Sequence, residues 1–287
     1  MDTLDGSASL PPVSGCWICE GSLQACARFA PQPFCECEQC GFIFRPDLDV
    51  AALNRVYAEG GYEDMRGKQY LAELTHRRRD ARVRLSYVKP WVRRGRLLDV
   101  GAAGGAFVAE AAAHGYSASG IEPVPSFARA AREQLGVDVR EGGLAEVDLH
   151  ESAYAVITLW HVLEHLPEPL VHLRRIASAL DTEGRLALEV PNADSAVSRH
   201  MGASWPSLEP TVHVNQFAPA SLRLALERAG FALLDMRTTT ITPYLTLRAR
   251  VAPGHIAGRL KAAAWLGDPR GEHPSGHELL RAVARRA

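Results

Sequence analysis

The sequence predicts an α/β fold: a parallel sheet covered by helices on both faces, preceded by a small metal-binding module. Three observations carry this reading. Short apolar strands alternate with helical segments from residue 96 onward. A loop of small residues joins the first of those strands to the first helix, and all six cysteines fall between Cys16 and Cys40. Strand–helix alternation at this rhythm makes consecutive strands parallel, with the crossover helices lying on the faces of the sheet.

Residues 96–100, 117–121, 137–140, 155–160 and 185–190 read as strands, being short runs of mainly apolar residues. Residues 107–114, 126–135, 170–180 and 221–229 read as helices, and Gly115, Gly136, Gly184 and Gly230 stand where each should stop. Residues 231–237 and 244–250 supply two further strands at one edge. Past Val251, residues 256–265 and 278–286 read as short helices. The chain thus divides into a metal module (1–46), a helical linker or lid (47–95), the α/β core (96–250) and a helical tail (251–287).

Charge is balanced, with 32 Lys and Arg against 33 Asp and Glu, which argues against nucleic acid or an anionic membrane as the main partner. No apolar run reaches about 18 residues, the length a membrane span requires. Residues 1–12 lack the basic start and apolar stretch of a secretory signal. The sequence therefore reads as cytoplasmic.

Cys16-Trp17-Ile18-Cys19 and Cys37-Glu38-Gln39-Cys40-Gly41 form two C-x2-C knuckles separated by 17 residues. That spacing matches a four-cysteine zinc ribbon, in which Cys16, Cys19, Cys37 and Cys40 supply a tetrahedral set of thiolates. Cys35 competes with Cys37 for the third position, and Cys26 reads as a buried or spare thiol.

The run from Asp99 to Gly105 reads D-V-G-A-A-G-G between a strand and a helix, so the backbone can approach a ligand closely at the helix N-terminus. Glu122 follows the second strand, where a carboxylate can accept from both hydroxyls of a ribose. A nicotinamide site would read G-x-G-x-x-G and cradle a pyrophosphate. The acid leading this loop favours a cationic ligand instead.

The fourth strand runs into Trp160-His161-Val162-Leu163-Glu164-His165, at the sheet edge where open α/β folds bind ligands. His161 and His165 would share a face of a helical turn. His161, nearest the strand end, is the first candidate base, and Glu164 and His165 are candidates for bracing the loop. After Val190-Pro191-Asn192 a long connection carries Trp205, His213 and Phe217. His213 is a second candidate base, and Trp205 a candidate to stack on a flat acceptor or to anchor a lid. Tyr57, Tyr62 and Tyr70 lie in the linker, and the basic run Arg77, Arg78, Arg79, Arg82 and Arg84 reads as a solvated helix face.

Over residues 96–237 the loop, the second-strand acid and the H-V-L-E-H segment resemble class I S-adenosylmethionine (SAM)-dependent methyltransferases. More narrowly, they are similar to the bacterial branch related to ubiquinone-type O-methyltransferases and deoxysugar C-methyltransferases. The resemblance implies a Rossmann-like seven-stranded core with a zinc ribbon and a helical lid. Asp99, Gly101, Ala103, Gly105, Glu122 and Trp160 would then hold SAM, with Gly101 and Gly105 around its methionine part and Glu122 on the ribose. The family loop usually has glycine where this chain has Ala103. It also implies methyl transfer to a small-molecule acceptor, in specialised metabolism, with His161, His213 or His165 assisting deprotonation. A zinc-ribbon RNA methyltransferase and a non-catalytic SAM-binding protein that docks a partner are the alternatives. The sequence leaves the acceptor, the methylated atom and the oligomeric state open.

Overall fold

The computed structural model describes residues 14–59, 74–239 and 277–287. Three short strands come first: β1 (Leu23–Ala25), β2 (Cys35–Cys37) and β3 (Ile43–Phe44). They pair antiparallel around the cysteine knuckles. Helix α1 (Val50–Ala58) follows, capped by the Asp49 carboxylate, which accepts the Ala52 N–H. Helix α2 (Leu74–Val88) then leads into the core.

The core runs β4 (Gly95–Val100), α3 (Ala106–Ala113), β5 (Tyr116–Glu122), α4 (Pro125–Leu135), β6 (Val139–Glu141), β7 (Tyr154–Trp160), α5 (Pro169–Ala179) and β8 (Leu180–Pro191). After it come α6 (Ala196–Met201), β9 (Asn215–Gln216), α7 (Pro219–Arg228), β10 (Phe231–Thr239) and β11 (Leu279–Arg286). The large sheet has the order β10-β11-β8-β7-β4-β5-β6. Strands β8, β7, β4, β5 and β6 are parallel, and β11 lies antiparallel between β8 and β10. Adjacent residues feed opposite faces: Leu98, Ile157 and Leu186 join one core cluster, while Leu97, Val156 and Ala187 join another. A sheet buried on both sides explains why these strands read as near-continuous apolar runs.

The expected core strands and helices are present, with ends shifted by a few residues. Two expectations are corrected. Helix α5 stops at Ala179, before Gly184, because the chain turns directly into β8. Residues 279–286 form a strand, not a helix. Leucine, alanine and arginine favour helix locally, but the slot between β8 and β10 supplies hydrogen-bonding partners on both sides, and Leu280, Ala282 and Ala284 fill one core face with period two. The expected strand at 244–250, the expected helix at 256–265, and Tyr62 and Tyr70 lie outside the described residues. Among the described residues no helix is long and apolar enough to cross a membrane.

Strand β9 ties the two sheets together. It belongs to the long connection after β8, yet pairs antiparallel with β3 of the cysteine module, Ile43 opposite Gln216 and Phe44 opposite Asn215. Phe42 packs on Phe217 with ring centroids 5.3 Å apart, and Cys16, Ile18, Cys37, Phe42 and Phe44 share a core cluster with the large sheet.

Candidate active site and cysteine centre

Strand β4 ends at Val100, and the loop that follows is held in left-handed backbone at Gly101 (φ 69°), Ala103 (φ 48°) and Gly105 (φ 76°). A Cβ on Gly101 would stand 2.6 Å from Val162 Cγ2, and one on Gly105 would stand 2.7 Å from Val137 Cγ2. Only glycine fits either position. Ala103 accepts a strain of about 1–2 kcal/mol in this conformation. Its N–H donates to Glu122 Oε2 at 2.7 Å, and Glu122 Oε1 accepts the Val124 N–H at 2.9 Å. Beneath the loop, Thr158 Oγ1 donates to Asp99 Oδ1 at 2.6 Å. Burial pushes both carboxyls up to about 7, opposed by the Thr158 bond at Asp99 and by the Val124 and Ala103 bonds at Glu122.

At the end of β7, His161 turns sharply (φ 60°). Its ring sits between two carboxylates, with Nδ1 3.2 Å from Glu164 Oε1 and Nε2 3.2 Å from Glu189 Oε1. Burial disfavours the charged ring, but the bonds to Glu164 and Glu189 outweigh it and lift the pKa to about 9. Glu189 is itself clamped by Arg84 Nη2 at 2.8 Å and by Arg281 Nε at 2.8 Å. Burial opposes its charge, yet Arg84, His161 and Arg281 hold this carboxyl well below the usual range.

His165 does not share a face with His161. Residues 163–165 form one 3-10 turn, and His165 Nδ1 lies 2.9 Å from Tyr57 Oη and 3.1 Å from the Val212 carbonyl. Its ring meets that of His213 edge-on, with centroids 4.6 Å apart. His213 Nδ1 lies 2.8 Å from the Ser207 carbonyl. Because a carbonyl only accepts, Nδ1 carries the proton in both neutral rings and Nε2 keeps the lone pair. A carboxylate oxygen of Glu164 and one nitrogen from each ring lie within 4.8 Å of one another.

Asp99, Glu122, His161, His165 and His213 all open onto one cleft of about 1270 Å³. The loop from Asp99 to Gly104, Glu122 and Trp160 line one end; Leu53, Asn54 and Tyr57 of α1, with His165 and His213, line the other. Gly105 caps α3 just behind the loop. Trp160 packs edge-on against Phe107, with the Arg84 guanidinium 5.3 Å from its ring centroid. Arg84 is thus no part of a solvated face, although Arg78, Arg79 and Arg82 are exposed. Trp205 is 2 % exposed and stacks on Phe29 of the cysteine module, so it anchors the module and does not face the cleft.

The sulfurs of Cys16, Cys19, Cys37 and Cys40 lie within 4.8 Å of one another. Cys16 Sγ is 3.6 Å from Cys40 Sγ, and Cys19 Sγ is 3.4 Å from Cys37 Sγ. Cys35 stands outside this set, and Cys26 is buried with Phe29, Phe34 and Trp205. A zinc ion with bonds of about 2.3 Å spaces tetrahedral sulfurs about 3.8 Å apart, so the donor set suits that ion.

Sequence reasoning missed Thr158, Glu189 and Asn215. Each is a polar residue within a buried strand, and that pattern was the available signal. A polar group buried in such a place must find partners.

Comparison with known proteins agrees with this geometry. A family described as a methyltransferase domain matches residues 70–235. The ubiquinone biosynthesis O-methyltransferase of Xanthomonas axonopodis pv. citri (strain 306) is 30% identical over 184 residues, covering 59% of this chain and 77% of that protein. Among solved structures, a SAM-dependent methyltransferase from Archaeoglobus fulgidus superposes with a TM-score of 0.56 at 20% identity, covering 77% of this chain and 100% of the other. The Burkholderia thailandensis 1,6-didemethyltoxoflavin-N1-methyltransferase, solved with 1,6-didemethyltoxoflavin and S-adenosylhomocysteine, gives 0.54 at 17% identity, covering 87% and 97%. The sheet order, the glycine-rich loop with its buried acid and the family match agree: the chain belongs to the methyltransferase domain family and is a class I SAM-dependent methyltransferase.

Proposed function

We propose that the enzyme methylates a small-molecule acceptor of specialised metabolism, of the phenolic, quinone-like or sugar kind, seated between α1 and the His165–His213 pair. The observation that carries this is the single cleft joining the Asp99–Glu122 end to the histidine end. Similarity to a ubiquinone biosynthesis O-methyltransferase supports a small acceptor.

SAM, when bound, supplies an electrophilic methyl group on a sulfonium. Asp99, Gly101, Ala103, Gly105, Glu122 and Trp160 would hold it. Gly101 holds the left-handed turn that brings the loop backbone to the cleft, and each Glu122 oxygen keeps a second lone pair for a ribose hydroxyl. Methyl transfer requires the acceptor to be held in line and, for a hydroxyl, to lose its proton. His213, with Nδ1–H fixed on Ser207, offers Nε2 as the base. Glu164 and His165 beside it stabilise the imidazolium that results. His161 is already protonated near neutral pH between Glu164 and Glu189, so it serves as a fixed donor at the cleft wall and not as the base.

Cys16, Cys19, Cys37 and Cys40 hold one structural zinc in this reading. It would cross-link the two knuckles that bracket the β1–β2 hairpin, outside the residues that line the cleft.

The reading is tested by incubating the zinc-loaded protein with methyl-labelled SAM and a panel of catechols, phenols, quinols and sugars. Label transfer to one class, slowed strongly in His213→Ala, supports it. Transfer to none of them, or only to RNA, refutes the small-molecule assignment.

A further inference from the structure

We propose that Asn215 and Gln216 are positioning residues: strand β9 is a clamp that sets the relative placement of His165 and His213, with the cysteine module as its outer support. The inference rests on the reading of those histidines as acceptor-side groups. As neighbours in a strand, Asn215 and Gln216 project to opposite faces, and each spends its amide N–H groups on a histidine-bearing segment. Asn215 Nδ2 donates to Leu163 O at 3.1 Å and to Leu166 O at 2.6 Å, bracketing the turn that carries Glu164 and His165. Gln216 Nε2 donates to Leu208 O at 3.0 Å and to His213 O at 3.4 Å, closing the loop that carries His213.

Both side chains are 1 % exposed, and both amide oxygens, Asn215 Oδ1 and Gln216 Oε1, are buried without a hydrogen-bond partner. A buried orphan acceptor is destabilising, and an apolar residue of similar shape would avoid it. Each amide is therefore present for its donors. The free edge of β9 is taken by β3, while Arg45 adds its backbone N–H to Val214 O at 2.9 Å and Nη1 to Pro210 O at 2.7 Å. The path from knuckle to site is short: Cys37, β2, β3, β9, then either histidine. The loop from Asp99 to Gly105 and Glu122 make none of these contacts, so the clamp acts on the acceptor end alone.

The test uses the full zinc-loaded chain and needs no acceptor. Histidine-ring proton–carbon NMR spectra are recorded from pH 5 to 9 for wild type, Asn215→Asp and Gln216→Glu, alongside calorimetric titration with S-adenosylhomocysteine. Each variant is nearly isosteric and replaces donors with an acceptor. Asn215→Asp should move the His165 titration midpoint, and Gln216→Glu that of His213, by at least about half a pH unit. Affinity for S-adenosylhomocysteine should stay within about twofold of wild type. Should either variant lose the fold, Arg45→Met carries the same test, since Arg45 is partly exposed and its side chain bonds only its neighbour Asp47 and the Pro210 carbonyl of the His213 loop; it should shift His213 and spare His165. Unmoved midpoints in folded variants, or a tenfold or greater loss of S-adenosylhomocysteine affinity, would overturn the proposal. Failure of His213→Ala to slow turnover would count against the acceptor-side reading and leave the clamp standing.

Discussion

Glu122 Oε2 accepts the backbone N–H of Ala103 at 2.7 Å, so the acid at the end of β5 holds the loop at the end of β4 in its left-handed turn. One carboxylate shapes the cradle, lines the cleft and, in the proposed reading, meets the ligand. Loop and acid are a single unit, and damage to either should be read out in the same measurement.

Gly101→Val should abolish S-adenosylhomocysteine binding while the protein stays folded. The new Cβ would stand 2.6 Å from Val162 Cγ2, in backbone at φ 69° that a β-branched residue resists. Circular dichroism checks the fold and calorimetry the affinity, with at least about a hundredfold loss expected.

Ligand affinity should fall as pH drops through 7. Burial lifts the Glu122 carboxyl from 4.5 to about 7 in the free protein, whereas accepting two ribose hydroxyls requires the ionised form. Binding at pH 6 should therefore release a proton to the buffer, which calorimetry in two buffers of different ionisation enthalpy detects. The sign for stability is opposite. A raised folded pKa gives the free protein a contribution that is full below about 4.5 and lost as pH rises through about 7.

The protein should contain about one zinc per chain, removed in the Cys16→Ser, Cys19→Ser double variant and retained in Cys35→Ser. Metal analysis of the purified proteins checks this. Cys35 lies outside the set of four sulfurs, so full depletion by Cys35→Ser would place the ligands elsewhere.

His213→Ala and His161→Gln should differ. The first removes the proposed base, lowering turnover by about 10²–10⁴-fold with cofactor affinity unchanged. The second removes the cation between Glu164 and Glu189. It should lower the melting temperature by several degrees, because two buried carboxylates lose a shared partner. Single-turnover kinetics and thermal melts separate the two effects.

Leu280→Ala should destabilise the fold by about 2–5 kcal/mol, read by denaturant unfolding. Leu280 is fully buried in β11, between β8 and β10. A surface helix at 278–286 would give a cost near zero.

The parts of the site most legible in the sequence were those dictated by short-range chemistry. The run from Asp99 to Gly105, Glu122 and the two cysteine knuckles announce themselves by spacing, because backbone strain and metal geometry act over a few residues. Long-range partners were not legible. Glu189 looks like one acid in an apolar strand, and only the fold brings Arg84 and Arg281 to it. The helix-favouring composition of residues 279–286 likewise conceals a strand whose reason for existing lies in β8 and β10. His161 was the first candidate base because it is nearest the strand end, but sequence could not show the two carboxylates that keep it charged.

The most direct test of the central claim is calorimetric titration of the zinc-loaded protein with S-adenosylhomocysteine, in wild type and in Glu122→Ala. Micromolar binding at one site per chain in wild type, abolished in the folded variant, is the predicted result. Equal affinity in both proteins would contradict the placement of the cofactor between the Asp99–Gly105 loop and Glu122.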